Sequence, residues 1–85
     1  TSRNSNLALI AWVEEFLHAR GIASQRVANA DGSKANLYAV VGPAVPGGVV
    51  LSGHTDVVPV DGQPWSSDPW VLSERGDKLY GRGTA

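Results

Sequence analysis

The chain has 85 residues, enough for one small domain at most. Its formal net charge of −1 argues against a protein that binds nucleic acid through a general basic surface. It contains no cysteine, which excludes disulfides, thiol catalysis and cysteine-ligated zinc. No apolar run approaches the ~20 residues of a membrane span. We therefore expect a cytoplasmic protein with neither a nucleic-acid nor a membrane partner.

The first predicted element is an amphipathic helix over residues 6–20. Its apolar side chains recur at helical spacing on one face, which consists of Leu9, Ile10, Val13, Phe16 and Leu17, with Trp12 at the edge. Asn4 or Ser5 is the predicted N-terminal cap, and Gly21 is the predicted stop. Leu9, Val13, Phe16 and Leu17 are expected to be largely buried against a sheet.

A hairpin is predicted next. Residues 22–29 alternate weakly between apolar and polar side chains and are predicted as an edge strand, residues 35–41 are predicted as a second strand, and the turn signal Asp31-Gly32 lies between them.

Residues 49–53 (VVLSG) form a short, continuous apolar run, which is typical of a strand covered on both faces. One helix covers only one face, so the cover of the other face must come from sequence before Thr1 or beyond Ala85, or from another chain. The predicted fold class is therefore α/β, as part of a three-layer α/β/α sandwich with a mixed sheet that is incomplete in this chain. The chain begins at Thr1 rather than Met, and both ends are expected to be cut from a longer protein.

Two further strands are predicted over residues 70–73 and 78–80, joined across Arg75-Gly76-Asp77. We interpret this tripeptide as turn residues. An adhesive module that acts through the same tripeptide is the least favoured interpretation.

His54 and Asp56 are the strongest candidates for functional-site residues, because they follow the predicted strand at the sheet edge where α/β folds place ligands. A neutral imidazole is a good ligand for zinc or cobalt. A carboxylate two residues later lies on the same side of an extended segment and can accept the proton of the second ring nitrogen. Spacing alone favours a purely structural role, in which His54 is a turn residue and Asp56 is a local cap of the turn.

Three longer motifs favour the metal site. They occur in order at residues 51–59 (LSGHTDVVP), 65–70 (WSSDPW) and 78–85 (KLYGRGTA). Together they resemble the N-terminal part of the co-catalytic zinc amidohydrolases, the family that includes acetylornithine deacetylase, succinyl-diaminopimelate desuccinylase, aminoacylase and glutamate carboxypeptidase. The resemblance is strongest over residues 49–85, and residues 1–48 match mainly in layout.

This resemblance implies that residues 1–85 are the N-terminal part of a metal-binding catalytic domain. His54 would bind one of two zinc or cobalt ions. Asp56 would be the carboxylate behind it, the one residue here assigned to the catalytic machinery. Residues 81–85 would lead to a metal-bridging aspartate at the next position. The general base and the other ligands would lie further on, so the 85-residue chain is expected to be inactive and to bind metal poorly.

The resemblance further implies that the parent protein, a homodimer, hydrolyses the amide of an N-acyl amino acid. N-acetylornithine is the first choice of substrate, with a role in arginine biosynthesis. Two alternatives stay open, namely a related desuccinylase or peptidase and a non-catalytic scaffold without a metal site.

Other candidates are weaker. His18 is predicted to lie on the solvated helix face, and Trp65 and Trp70 are predicted to pack their loop onto the sheet rather than to line a pocket. Arg82 has two open interpretations: it binds a substrate carboxylate, or it pairs with a carboxylate such as Asp77.

Overall fold

The computed structural model describes residues 4–84. The elements, in chain order, are α1 (Leu7–His18), β1 (Ser24–Ala28), β2 (Ala35–Ala39), β3 (Ser73–Arg75) and β4 (Lys78–Tyr80). β1 pairs with β2 and β3 pairs with β4, so the described residues form a small α/β arrangement with two antiparallel two-stranded sheets. They fall into two compact units that divide between His54 and Thr55.

Helix α1 confirms the predicted helix, but its N-cap is Asn6, which makes no side-chain cap hydrogen bond, rather than Asn4 or Ser5. The Ser5 hydroxyl accepts a hydrogen bond from the N–H of Leu7 at 3.3 Å. At the other end, the N–H of Gly21 donates to the His18 carbonyl at 2.9 Å and that of Ile22 donates to the Leu17 carbonyl at 3.0 Å. These are the two bonds of a Schellman motif, and they close on Gly21 with φ of 73°. Gly21 therefore ends the helix as predicted.

The prediction for the apolar face of α1 is partly wrong. Ile10 is 5% exposed, and Val13 and Leu17 are half-buried, but Leu9 and Phe16 are exposed. The physical reason is the width of the partner, because a hairpin of two five-residue strands is too narrow to cover the whole stripe.

The first hairpin is confirmed, with Ser24 opposite Ala39 and Ala28 opposite Ala35. Two contacts attach it to α1. The Asn6 side-chain amide pairs with the backbone of buried Ala35, accepting from its N–H at 2.9 Å and donating to its carbonyl at 2.8 Å. The Arg26 guanidinium of β1 donates two hydrogen bonds to the Glu14 carboxylate of α1. The helix is thus fixed to both strands.

The second hairpin is also confirmed, but its first strand begins at Ser73 rather than at residue 70. Gly76 has φ of 63° at the first central position of the two-residue turn, the place where a type II′ turn needs glycine. The Arg75 guanidinium lies 5.3 Å from the centre of the Tyr80 ring.

The predicted strand over residues 49–53 is wrong for this structure. These residues have no regular secondary structure, and Val49, Val50 and Leu51 are 88%, 85% and 93% exposed. A strand covered on both faces needs hydrogen-bonding neighbours, and the strands among residues 4–84 pair within their own hairpins. The predicted mixed sheet is therefore not formed by the described residues. Nor does any helix within this range have the length and apolar character needed to cross a membrane.

Candidate functional site

His54 and Asp56 lie in an irregular segment, and both residues are exposed. The expectation that they follow a strand at a sheet edge is therefore wrong in this structure. Among residues 4–84, no three His, Cys, Asp or Glu side chains come together as a group able to hold a metal ion. The roles of His54 as a ligand and of Asp56 behind it stay predictions.

The segment 81–84 forms a tight turn beside the residue that follows Asp56. Gly83 has φ of 93°, and a Cβ added to it would lie 3.0 Å from Cγ1 of Val57. That distance is shorter than the ~3.5–4.0 Å of an ordinary carbon–carbon contact. The Thr84 hydroxyl donates to the Gly81 carbonyl at 3.0 Å and closes the turn. Glycine at position 83 thus permits the close approach of the first and third sequence motifs. Ala85 lies outside the described residues.

Arg82 connects this turn to the middle motif. Its backbone N–H donates to the Pro69 carbonyl at 2.7 Å. Its guanidinium donates through Nη2 to Oε1 of Gln63 and lies 4.9 Å from the centre of the Trp65 ring. The sequence left a substrate carboxylate and Asp77 open as partners, whereas the structure places the guanidinium on an amide and an indole. Gln63 was missed, because nothing in its local sequence marks it as a partner for an arginine 19 residues away.

The two tryptophans of the middle motif differ. Trp65 is half-buried against Arg82, and its Nε1–H donates to Oε1 of Gln63 at 3.3 Å. Trp70 is 59% exposed, so the packing predicted for it is wrong. The backbone N–H of Trp70 donates to the Asp68 carboxylate at 2.9 Å, which makes a local turn and leaves the ring in solvent.

The remaining candidate, His18, is exposed in the last turn of α1, as predicted. It lines a shallow, open groove with Glu14, Glu15, Ile22, Ala23 and Ser24. Because Glu14 is held by Arg26, this groove presents no set of free ligands.

Comparison with known proteins identifies the motifs. Residues 50–85 match the sequence profile of Peptidase family M20/M25/M40. The acetylornithine deacetylase of Proteus mirabilis is 46% identical over 83 residues, which is 95% of this chain and 21% of the relative. That of Photorhabdus laumondii is 56% identical over 52 residues, 61% of this chain and 13% of the relative. The chain belongs to the M20/M25/M40 peptidase family.

The chain spans about a fifth or less of the length of these curated relatives. No solved structure matches it significantly. The M20/M25/M40 match covers the contacts described above, because Val57, Trp65, Pro69, Arg82 and Gly83 all lie between residues 50 and 85. The profile match and the 46% identity to an acetylornithine deacetylase confirm the sequence resemblance to this family.

Proposed function

We propose that the longer protein containing this chain is a metal-dependent deacylase that hydrolyses the amide of an N-acyl amino acid. N-acetylornithine is the first candidate substrate. The observation that carries the proposal is the 46% identity to an acetylornithine deacetylase across 95% of the chain. The proposal includes a cytoplasmic homodimer that acts in arginine biosynthesis.

The donor chemistry at His54 and Asp56 fits zinc or cobalt. An imidazole nitrogen is a suitable ligand, and a carboxylate two residues later can orient that ring and raise its basicity. A catalytic zinc has three protein ligands, so the remaining ligands would come from the rest of the longer protein. When bound, a pair of divalent ions lowers the pKa of a shared water and polarises the amide carbonyl.

The turn at residues 81–84 would give this chain its second contribution to the site. Its backbone leads to the position after Ala85, where the family resemblance places an aspartate that bridges both metals. The close approach of Gly83 to Val57 supports this role, because that backbone lies beside the segment that carries Asp56.

We further propose that residues 1–85 are the N-terminal part of the metal-binding domain, a three-layer α/β/α sandwich with a mixed sheet. In that domain, residues 49–53 would gain strand neighbours from sequence outside the chain. The exposed side chains of Val49, Val50 and Leu51 support this assignment, because an apolar run of this kind is stabilised by cover on both faces.

The test uses the full-length protein and follows amine release from N-acetylornithine before and after chelation. We expect activity to disappear with the chelator and to return with zinc or cobalt. His54→Ala is expected to lower kcat/KM by at least about 100-fold, since ligand loss should exceed the effect of a residue behind the metal. His18→Ala is the matched control, an exposed histidine on α1 that should leave activity unchanged.

Asp56→Asn is expected to lower metal affinity or activity about 10–100-fold. Its matched control is Asp61→Asn, which changes an exposed aspartate in the following turn. Full activity after chelation, or in His54→Ala, would contradict the proposal. A protein that binds no metal and cleaves no N-acyl amino acid would instead be the non-catalytic scaffold, and preferred cleavage of an N-succinyl substrate would assign it to the desuccinylases.

A further inference from the structure

We propose that Arg82 is a positioning residue for the metal site, and this inference rests on the proposed function. Gln63, Trp65 and Arg82 form a cluster that we call the clamp. The clamp would hold the turn 81–84 against the loop 57–70, and so set the direction in which the chain approaches the metal-bridging position.

The clamp consists of three side chains, two of which donate to one acceptor atom on the third. Oε1 of Gln63 accepts hydrogen bonds from Nη2 of Arg82 and from Nε1 of Trp65. The Arg82 guanidinium also lies on the Trp65 ring, within the ~6 Å of a cation–π contact. A single amide oxygen therefore fixes both the ring and the guanidinium that stacks on it.

The loop side of the clamp is itself held in place. The N–H of Gln63 donates to the Val60 carbonyl at 3.2 Å across a turn, and Gly62 occupies the third position of that turn with φ of 71°. A positive φ at this position is typical of a type II turn. Gln63 thus projects from a constrained loop, and Arg82 binds a fixed partner.

Two further features place the turn side of the clamp beside the loop. They are the bond from the Arg82 N–H to the Pro69 carbonyl and the close approach of the Gly83 backbone to Val57. Neither depends on the Arg82 side chain, so replacing that side chain should loosen the turn without detaching it. Lysine cannot replace arginine fully, because it lacks the planar group that both stacks on an indole and donates sideways.

The chemistry of Arg82 argues for positioning rather than for substrate binding. Its Nη2 and its ring-stacking face are used within the protein, and its Nε atom is buried. A guanidinium engaged in this way acts on the site through the backbone of Gly83 and Thr84.

The experiment compares wild-type full-length protein with Arg82→Ala, Arg82→Lys and Gln63→Ala. The first measurement is amide hydrogen exchange of residues 82–84 in metal-free protein. The second is zinc affinity, measured by competition with a chelator. In Arg82→Ala we expect faster exchange in the turn and zinc affinity lower by about 10-fold, the smaller of the effects seen for residues behind a metal. We expect kcat to fall while KM stays nearly constant, and Arg82→Lys to recover part of each loss.

Arg75→Lys is the matched control, because Arg75 also stacks on an aromatic ring in the same compact unit but lies outside the clamp. It should leave zinc affinity unchanged. In the double variant, the losses of zinc affinity caused by Arg82→Ala and Gln63→Ala should be less than additive, as expected for residues in one hydrogen-bonded cluster. The urea midpoint of Arg82→Lys is compared with that of wild type. An unchanged midpoint together with lower zinc affinity indicates positioning, whereas a lowered midpoint indicates a general loss of stability.

Unchanged exchange or unchanged zinc affinity in Arg82→Ala would overturn the positioning role while leaving the proposed function intact. Equal losses in the Arg75→Lys control would overturn it as well. A wild-type protein that neither binds zinc nor cleaves an N-acyl amino acid would overturn the proposed function, and the positioning role with it. The two failures are therefore distinguishable from the wild-type measurement.

Discussion

Asp31 illustrates how single polar residues shape this chain. It lies in the turn between β1 and β2, where its carboxylate accepts hydrogen bonds from the Ser33 hydroxyl at 2.5 Å and from the Ser33 N–H at 2.9 Å. Both bonds favour the ionised form, and the hydroxyl is the larger cause of a lowered pKa for Asp31. The turn that sequence reasoning recognised from Asp31-Gly32 therefore also depends on a serine two residues later.

Ser33→Ala is expected to raise the pKa of Asp31 toward its ordinary value of 3.8, because the hydroxyl donor is lost and the backbone N–H remains. The folded-state pKa of Asp31 is lowered, so its contribution to stability is present above the unfolded pKa and lost as the pH falls through the folded value. NMR titration of the Asp31 carboxyl carbon measures the shift. An unchanged titration curve would show that the hydroxyl does not stabilise the ionised form.

Gly83→Ala is expected to destabilise the protein in two ways. The first is the cost of a positive φ in a residue with a Cβ, about 1–2 kcal/mol, and the second is the close contact with Val57. Gly42→Ala is the control, since Gly42 has φ of 107° but open space around its Cβ position. Urea denaturation should show a larger loss for Gly83→Ala. Equal losses in the two variants would mean that the contact with Val57 adds nothing.

Among the secondary-structure elements, the first hairpin is joined by polar contacts to α1 and to Asn6, which precedes that helix. The ion pair between Arg26 and Glu14 is exposed, so salt screens it. The hydrogen bonds to Glu14 are the main cause of the raised pKa of Arg26. The pair between the Asn6 amide and the Ala35 backbone is part-buried. It satisfies a backbone donor and a backbone acceptor at the first residue of β2, so it should contribute more to the free energy of unfolding than the Arg26–Glu14 pair does.

Asn6→Ala is expected to lower the free energy of unfolding by about 1–3 kcal/mol, because the N–H and carbonyl of buried Ala35 lose their partner. Asn36→Ala, at an exposed position on the same strand, is the control and should change little. Urea unfolding of the 85-residue chain gives both values. A loss in Asn6→Ala no larger than that of the control would show that water replaces the amide.

At the scale of the whole molecule, apolar burial is slight. Among residues 4–84, the hydrophobic residues that are buried are Ile10 and Ala35, while Val49, Val50 and Leu51 are nearly fully exposed. A chain of this length buries a smaller fraction of its surface than a large domain does. An exposed apolar run is a site for association, because covering it removes apolar surface from water.

We therefore expect the 85-residue chain to self-associate through residues 49–51. Leu51→Lys should shift it toward monomer, since a charge in the run is costly to bury. Leu72→Lys, which changes an exposed leucine elsewhere, should not. Sedimentation equilibrium at several concentrations measures the difference. A monomeric wild-type chain, or equal effects of the two variants, would contradict this prediction.

Local features determined much of what the sequence predicts. The 3.6-residue spacing of apolar side chains and Gly21 determined α1, and the turn residues Asp31-Gly32 and Gly76-Asp77 determined the two hairpins. These are interactions between near neighbours, so they can be recognised without a fold. The motifs at residues 50–85 likewise determined the family, because residue identities in order are themselves the signal.

Contacts between distant residues were decided only by the tertiary structure. The clamp of Gln63, Trp65 and Arg82 and the approach of Gly83 to Val57 join positions 17 to 26 residues apart, and no local pattern marks them. The same reason explains why the strand predicted over residues 49–53 is not formed. An apolar run shows that a segment can be a strand, but hydrogen-bonding neighbours decide whether it becomes one, and the described residues do not supply them.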